Sequence, residues 1–262
     1  MRLVSMSVHS RLNNQKNYLK TYQSELNKIT SITNHAIKST HTDQNAPDTQ
    51  ISNLKIIILI GSQKGLCGGF NQDVLRAYSE YHKSQQKEQT ILIAIGKKLI
   101  DTTVRKYQID RKIIKFTPAL ISEIVHELFN YINTQKQQTE VLFFSNSSKN
   151  FFTHTTKITP LFDQQNNHSK LTQNDSHTEP YIWEQRASEL AKTLHLNQLK
   201  LNIYYLLFDS LIAEYSARFR SMDNATRNAN TLLETTERQY RKVRQAKITR
   251  ELVELSAIFQ TK

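Results

Sequence analysis

Ile203-Tyr204-Tyr205-Leu206-Leu207-Phe208 opens a stretch that runs to Lys262 without a single Gly or Pro. Inside it stand Met222-Asp223-Asn224-Ala225-Thr226-Arg227-Asn228-Ala229 and, further on, Arg244-Gln245-Ala246-Lys247-Ile248-Thr249-Arg250-Glu251-Leu252. Free of the residues that break helices, the stretch predicts one helix of about sixty residues, roughly 90 Å at the α-helical rise. Helices in compact domains are usually only a few turns long. A helix of this length cannot bury its surface against a small domain, so it points to assembly or mechanical work.

Working outward, residues 1–38 also lack Gly and Pro, and Leu12, Leu19, Tyr22, Leu26 and Ile29 recur at steps of seven, three, four and three. That spacing is a heptad seam. In the long C-terminal stretch Leu207, Leu211, Tyr215, Phe219, Met222, Ala225, Ala229 and Leu232 follow steps of three and four. The two seams are expected to cover each other as an antiparallel coiled coil, with Ala217, Ala225 and Ala229 permitting close approach.

Between the flanks the pattern changes. Ile56-Ile57-Ile58-Leu59-Ile60, Ile91-Leu92-Ile93-Ala94-Ile95 and Val141-Leu142-Phe143-Phe144 read as buried strands. Helices are expected from Asn71, as cap, through Val74, Leu75, Tyr78 and Tyr81; from Leu99 to Val104; and from Ile121 to Ile132. Such alternation implies right-handed crossovers and a mostly parallel sheet. Phe151-Phe152 and Lys157-Ile158 suggest short strands; Ser39–Ser52 and Gln164–Glu179 read as polar linker and loop. The expected architecture is a Rossmann-like α/β domain (53–182) inserted between an N-terminal coiled-coil helix (1–45) and a C-terminal one (198–262).

Composition narrows the function. The formal net charge of +12 favours acidic partners. The single Cys67 excludes an internal disulfide and fits a reducing compartment. No apolar run approaches the ~20 residues of a membrane span. Gly61-Ser62-Gln63-Lys64-Gly65-Leu66-Cys67-Gly68-Gly69-Phe70-Asn71 sits where phosphate loops sit, yet it matches neither the Walker A nor the dinucleotide spacing. A sharp turn needing positive φ explains its glycines better. The nine histidines are scattered without metal-ligand spacing, and no pair of acids is brought together. Arg238, Arg241, Lys242, Arg244, Lys247 and Arg250 form a basic run without an acid. It is either a solvated helix face or a contact surface for an acidic partner. With Tyr240 as its lone aromatic, protein is favoured over nucleic acid as that partner.

Three segments together resemble the gamma-subunit family of F-type proton-transporting ATP synthases. They are Gly65-Leu66-Cys67-Gly68-Gly69-Phe70-Asn71, the run from Glu214-Tyr215-Ser216-Ala217-Arg218 into Met222–Ala229, and Arg244-Gln245-Ala246 through Leu252. The resemblance implies a central stalk that turns inside three alpha and three beta subunits, coupling proton flow through a membrane rotor ring to ATP synthesis or hydrolysis. It implies epsilon, delta and ring c subunits as further partners, and no nucleic acid. Arg244, Gln245 and Thr249 would contact a beta-subunit loop, and the basic run would face acidic beta segments. The catalytic residues would lie on beta, so this chain would carry no catalytic, cofactor or metal site. The implied setting is peripheral, on the cytoplasmic face of a bacterial inner membrane, with the mitochondrial matrix side as the other setting. Met1-Arg2-Leu3-Val4-Ser5 resembles the middle of the family's first helix, so either the start codon is assigned too late, which is the expectation, or the shaft is shortened. Ser256-Ala257-Ile258-Phe259 stands where the family has a small, Gly-containing ending. The rival readings are a basic nucleic-acid-binding coiled-coil protein, a nucleotide-binding α/β enzyme using the 61–71 loop, and a decayed or repurposed gamma paralogue.

Overall fold

The computed structural model describes residues 2–40, 54–84, 89–135, 139–150, 153–161 and 186–260. The flanks are two helices, α1 (Arg2–Thr40) and α5 (Ala187–Gln260). Between them lie β1 (Leu54–Ile60), α2 (Phe70–Ser84), β2 (Gln89–Ile95), α3 (Lys97–Thr103), β3 (Arg111–Ile113), α4 (Ile121–Thr134), β4 (Glu140–Asn150) and β5 (Thr153–Pro160). The sheet order is β3-β2-β1-β4-β5. The first four strands are parallel and β5 pairs antiparallel with β4.

The centre of the sheet follows from the Ile-rich strand. A strand covered on both faces must be apolar at every position, and Ile56 to Ile60 are all at most 2% exposed. Ile57 and Leu59 pack with Val74 and Tyr78 of α2 and Leu99 of α3. Ile56, Ile58 and Ile60 face the other way, onto Ile124 and Leu128 of α4 and Ile203, Leu207 and Leu211 of α5. Each such aliphatic side chain contributes about 2 kcal/mol when fully buried. The sheet therefore lies between α2/α3 and α4/α5, with α1 packed on α5 through Leu12.

β3 escaped the sequence reading because three residues, two of them basic, carry no periodic signal. β5 extends past Lys157-Ile158 to Pro160, a residue tolerated on an edge strand. Phe151 and Phe152, and the polar segment 164–179, lie outside the described residues, as does most of the expected 39–52 linker; its first residues, Ser39 and Thr40, end α1. α5 begins at Ala187, ahead of the expected 198. Asn71 does not cap α2. It lies in the first turn, where its Oδ1 accepts from the Ser62 N–H (2.9 Å) and its Nδ2 donates to Ser62 Oγ (2.8 Å).

The coiled coil is antiparallel in a constant register. Lys16 pairs with Asp209, Gln23 donates to Asn202, and Gln198 donates to Asn27. Every step along α1 is thus a step back along α5. The covered face of α1 is Ser5, His9, Leu12, Lys16, Leu19, Gln23, Leu26, Thr30 and Thr33, an unbroken alternation of four and three. This corrects the expected seam at two places: Tyr22 and Ile29 are 56% and 46% exposed, while Gln23 and Thr30 point inward. Gln23 is satisfied across the seam by Asn202, and Thr30 Oγ1 donates to Leu26 O of its own helix (2.8 Å), which makes those inward polar positions tolerable. At this register the start of α1 faces Asp223. Beyond it the expected mutual cover ends, and residues 224–256 are all exposed, including Ala225 and Ala229.

Two predictions concern the joints of this fold. A Cβ on Gly61 would lie 2.3 Å from Leu99 Cβ, whereas one on Gly65 would meet only Lys98 Cε, at 4.0 Å. Gly61→Ala should therefore cost about 2–3 kcal/mol in denaturant unfolding, and Gly65→Ala less than about 0.5 kcal/mol. The second concerns His9. Burial, and then the charge of Lys16, hold its imidazole below the ordinary 6.5. The unfolded chain then binds the proton more readily. This contribution to stability is complete above 6.5 and is lost as pH falls through the lower folded value. Melting temperature measured across pH 5–8 should fall on the acid side, and His9→Gln should flatten that slope.

Candidate functional site: the loop that grips the long helix

In open α/β sheets ligands bind outside the strand C-termini, where successive crossovers part to opposite faces. Here α2 and α4 part on either side of β1 and β4, and the segment at that place is the loop after β1, residues 61–69. The loop is braced on every side. Gly61 N–H donates to Ile95 O (2.9 Å), and Ser62 O accepts from Lys98 N–H (3.1 Å). Gln63 Oε1 accepts from Phe116 N–H (3.0 Å), and Asn146 Nδ2 donates to Phe70 O (2.8 Å). Asn146 is itself held by Thr156 Oγ1, at 2.6 Å. Leu66 and Gly68 adopt φ of 65° and 60°. The expected positive-φ turn is present, with Leu66 as well as a glycine in that conformation.

α5 occupies the space beside this loop. Cys67 and Phe70 pack on Ala213 and Ala217. The small side chain of Ala217 thus serves the loop rather than α1. One turn on, Arg218 binds Glu214 and reaches the carbonyl oxygens of Gly65 and Lys64, each at 3.4 Å. Its guanidinium also lies 5.2 Å from the Tyr215 ring centroid. The side chains of Arg218 and Glu214 are 9% and 4% exposed. Burial pushes the Glu214 carboxyl above its usual range, opposed by Arg218 and by the backbone N–H groups of Gln63 and Lys64. Glu214 Oε2 has no hydrogen-bond partner among the described residues. Burial likewise raises the Cys67 thiol, which donates to Ser62 Oγ at 3.3 Å. A phosphate loop offers N–H donors to its ligand. Here the Gln63 and Lys64 N–H groups face the Glu214 carboxyl and the carbonyls of Lys64 and Gly65 face Arg218, so α5 itself takes up both the donors and the acceptors of the loop.

The residues singled out by resemblance lie far from this joint, on the free part of α5. Arg244, Gln245 and Thr249 are all exposed, and Thr249 Oγ1 donates back to Gln245 O (2.9 Å). Arg244 stands between two ion pairs at i,i+4 spacing, Arg241–Glu237 (3.6 Å) and Lys247–Glu251 (3.8 Å). Leu232, Tyr240, Val243 and Leu252 are between 61% and 68% exposed on the same stretch. The basic run is therefore an exposed surface of both charge and apolar area, with Arg241, Lys247 and Arg250 each paired to an acid on the same helix. Glu214 and Arg218 belong to a family-like segment, yet their task does not follow from the sequence alone. The available signal was a Glu and an Arg at i,i+4 within a stretch otherwise apolar enough to be core.

Comparison with known proteins agrees with this geometry. A family model described as ATP synthase matches residues 1–259. A Campylobacter jejuni protein named ATP synthase gamma chain is 33% identical over 207 residues, covering 76% of this chain and 68% of the relative. One of the same name from Amoebophilus asiaticus is 28% identical over 269 residues, covering 98% and 90%. Among solved structures, the central stalk and c-ring of the Tetrahymena thermophila mitochondrial ATP synthase has a chain of similar fold. Its TM-score is 0.60 at 16% identity, over 86% of this chain and 97% of that one. A chain of the Euglena gracilis mitochondrial ATP synthase also scores 0.60, at 18% identity, over 97% and 94%. The chain belongs to the ATP synthase gamma-chain family.

Proposed function

We propose that this chain is the rotating central stalk of an F-type ATP synthase. It turns within a ring of alpha and beta subunits, rests through its α/β domain on epsilon and the membrane rotor ring, and contributes no catalytic group of its own. One observation carries the reading: α5 bonds to the loop of the α/β domain at Arg218 and continues as one helix to Gln260, with residues 224–256 exposed. Such a projection is a shaft without its bearing. Along it Arg227–Asp223, Arg241–Glu237 and Arg250–Glu254 sit at i,i+4 spacing and help to keep the helix formed where tertiary packing is absent.

The chemistry suits rotation. Only differential contact with otherwise equivalent partners shifts their conformational equilibrium. Exposed ion pairs are worth little individually, so they guide each beta subunit and release it cheaply. Arg244, Gln245 and Thr249 are the residues proposed to meet a beta-subunit loop. The bacterial relatives support the cytoplasmic face of a bacterial inner membrane as the setting. Among the described residues no helix is long and apolar enough to cross a membrane, so attachment through the complex suffices.

Purification of the native chain in mild detergent should bring alpha, beta and rotor-ring subunits with it, identified by mass spectrometry. Recovery alone or with nucleic acid would overturn the reading. Within such a complex, Arg244→Ala with Gln245→Ala should lower steady-state ATP hydrolysis by about tenfold or more, the worth of a charge-assisted hydrogen bond. Because both side chains are exposed, the melting temperature of the isolated chain should stay unchanged.

A further inference from the structure

We propose that the buried Glu214–Arg218 pair, closed on the carbonyls of Lys64 and Gly65, is the anchor that locks the shaft to the α/β domain against twist. This rests on the central-stalk reading and names the residues through which that domain would pass torque to α5. Among the residues of α5 whose burial is described, Arg218 is the last buried one, and all of 224–256 is exposed. In a projecting rod loaded along its length, the bending moment is greatest at the root, and the whole of the applied torque must leave the rod there. The pair stands at that root.

Apolar packing below the root, through Ile203, Leu207, Phe208, Leu211 and Ile212, holds helix and sheet together. It is non-directional, so it opposes separation far better than it opposes sliding or rotation about the helix axis. A guanidinium fork is directional. Arg218 reaches a carboxylate on its own helix and two carbonyl oxygens on the loop. That loop is in turn tied to β2 through Ile95, to α3 through Lys98, to the segment before α4 through Phe116 and to β4 through Asn146. A rotation of α5 must break these contacts before it slips. Ala213 and Ala217 keep the loop close enough for the fork to span the gap.

The chemistry at this point is otherwise hard to explain. A buried ion pair is frequently no more stabilising than apolar side chains of the same volume, and among the described residues Glu214 Oε2 has no hydrogen-bond partner. What it provides that apolar side chains do not is a fixed angle between helix and loop. Glu214 and Arg218 are thus positioning residues, acting through the joint rather than on any substrate.

The test uses the assembled complex carrying Glu214→Met with Arg218→Met, which removes both charges and keeps the volume. The expected result is an unchanged or higher melting temperature, normal assembly and near-normal ATP hydrolysis. Protons pumped per ATP hydrolysed should fall several-fold, and amides 62–70 should exchange with deuterium faster. A purely structural role would leave that ratio unchanged. Arg218→Lys keeps the charge but not the fork, and should give a smaller fall in the same ratio. It decides the matter if the double variant does not assemble. An unaltered pumping ratio with unaltered exchange in the loop would overturn the anchor. Failure of the unmodified chain to assemble with alpha, beta and ring subunits would overturn the stalk reading instead.

Discussion

Between Ile203 and Arg218 helix α5 is covered almost all the way round. The sheet and α4 take one side, α1 another, and the loop after β1 closes over Ala213 and Ala217. A helix satisfies its own backbone but cannot hold itself in place, and its stability in water comes mainly from the face it buries. That encirclement holds one part of a 74-residue helix against the domain, while residues 224–256 are exposed. It also requires a residue pattern unlike either end: apolar in every direction, with polar side chains admitted only where a partner waits.

The polar insertions into covered surface follow from this constraint. Lys16 meets Asp209 inside the coiled coil, with Lys16 Nζ also 5.4 Å from the Tyr205 ring centroid. Gln23 meets Asn202, and Arg218 meets Glu214. Apolar contacts alone would let two heptad seams slide by a turn at little cost. Inward polar residues make any other register leave a buried charge or amide unpaired, which is expensive. The same logic that fixes the seam of α1 recurs at the loop, where the carbonyls of Lys64 and Gly65 face Arg218.

The glycines of the α/β domain act at the same joint. Gly61 and Gly96 let the turns after β1 and β2 touch backbone to backbone. A Cβ on Gly96 would lie 2.5 Å from Gly61 O, and Gly96 itself has φ of 99°. Stiffness in the loop thus comes from close approach of main chain, and the loop passes that stiffness to α5. In this α/β domain the space beside the loop after β1 is occupied by the chain's own helix α5.

Much was legible from local signals. The absence of Gly and Pro sets the long helices, the Ile-rich runs set three central strands, and the alternation of strand and helix sets a parallel sheet. Each of these depends on the backbone period of a short segment, which residue type alone dictates. The motifs around Gly65, Met222 and Arg244 point to the family without the tertiary structure. The tertiary structure decided what depends on a distant partner: that Gln23 and Thr30 line the seam in place of Tyr22 and Ile29, that Asn71 braces Ser62 instead of capping α2, and that β3 forms at all. It also decided that Glu214 and Arg218 are buried against a loop some 150 residues away while Arg244 and Thr249 remain in solvent. Periodicity is written in neighbours along the chain. Register, burial and the company of a charge are settled only when segments far apart in sequence meet.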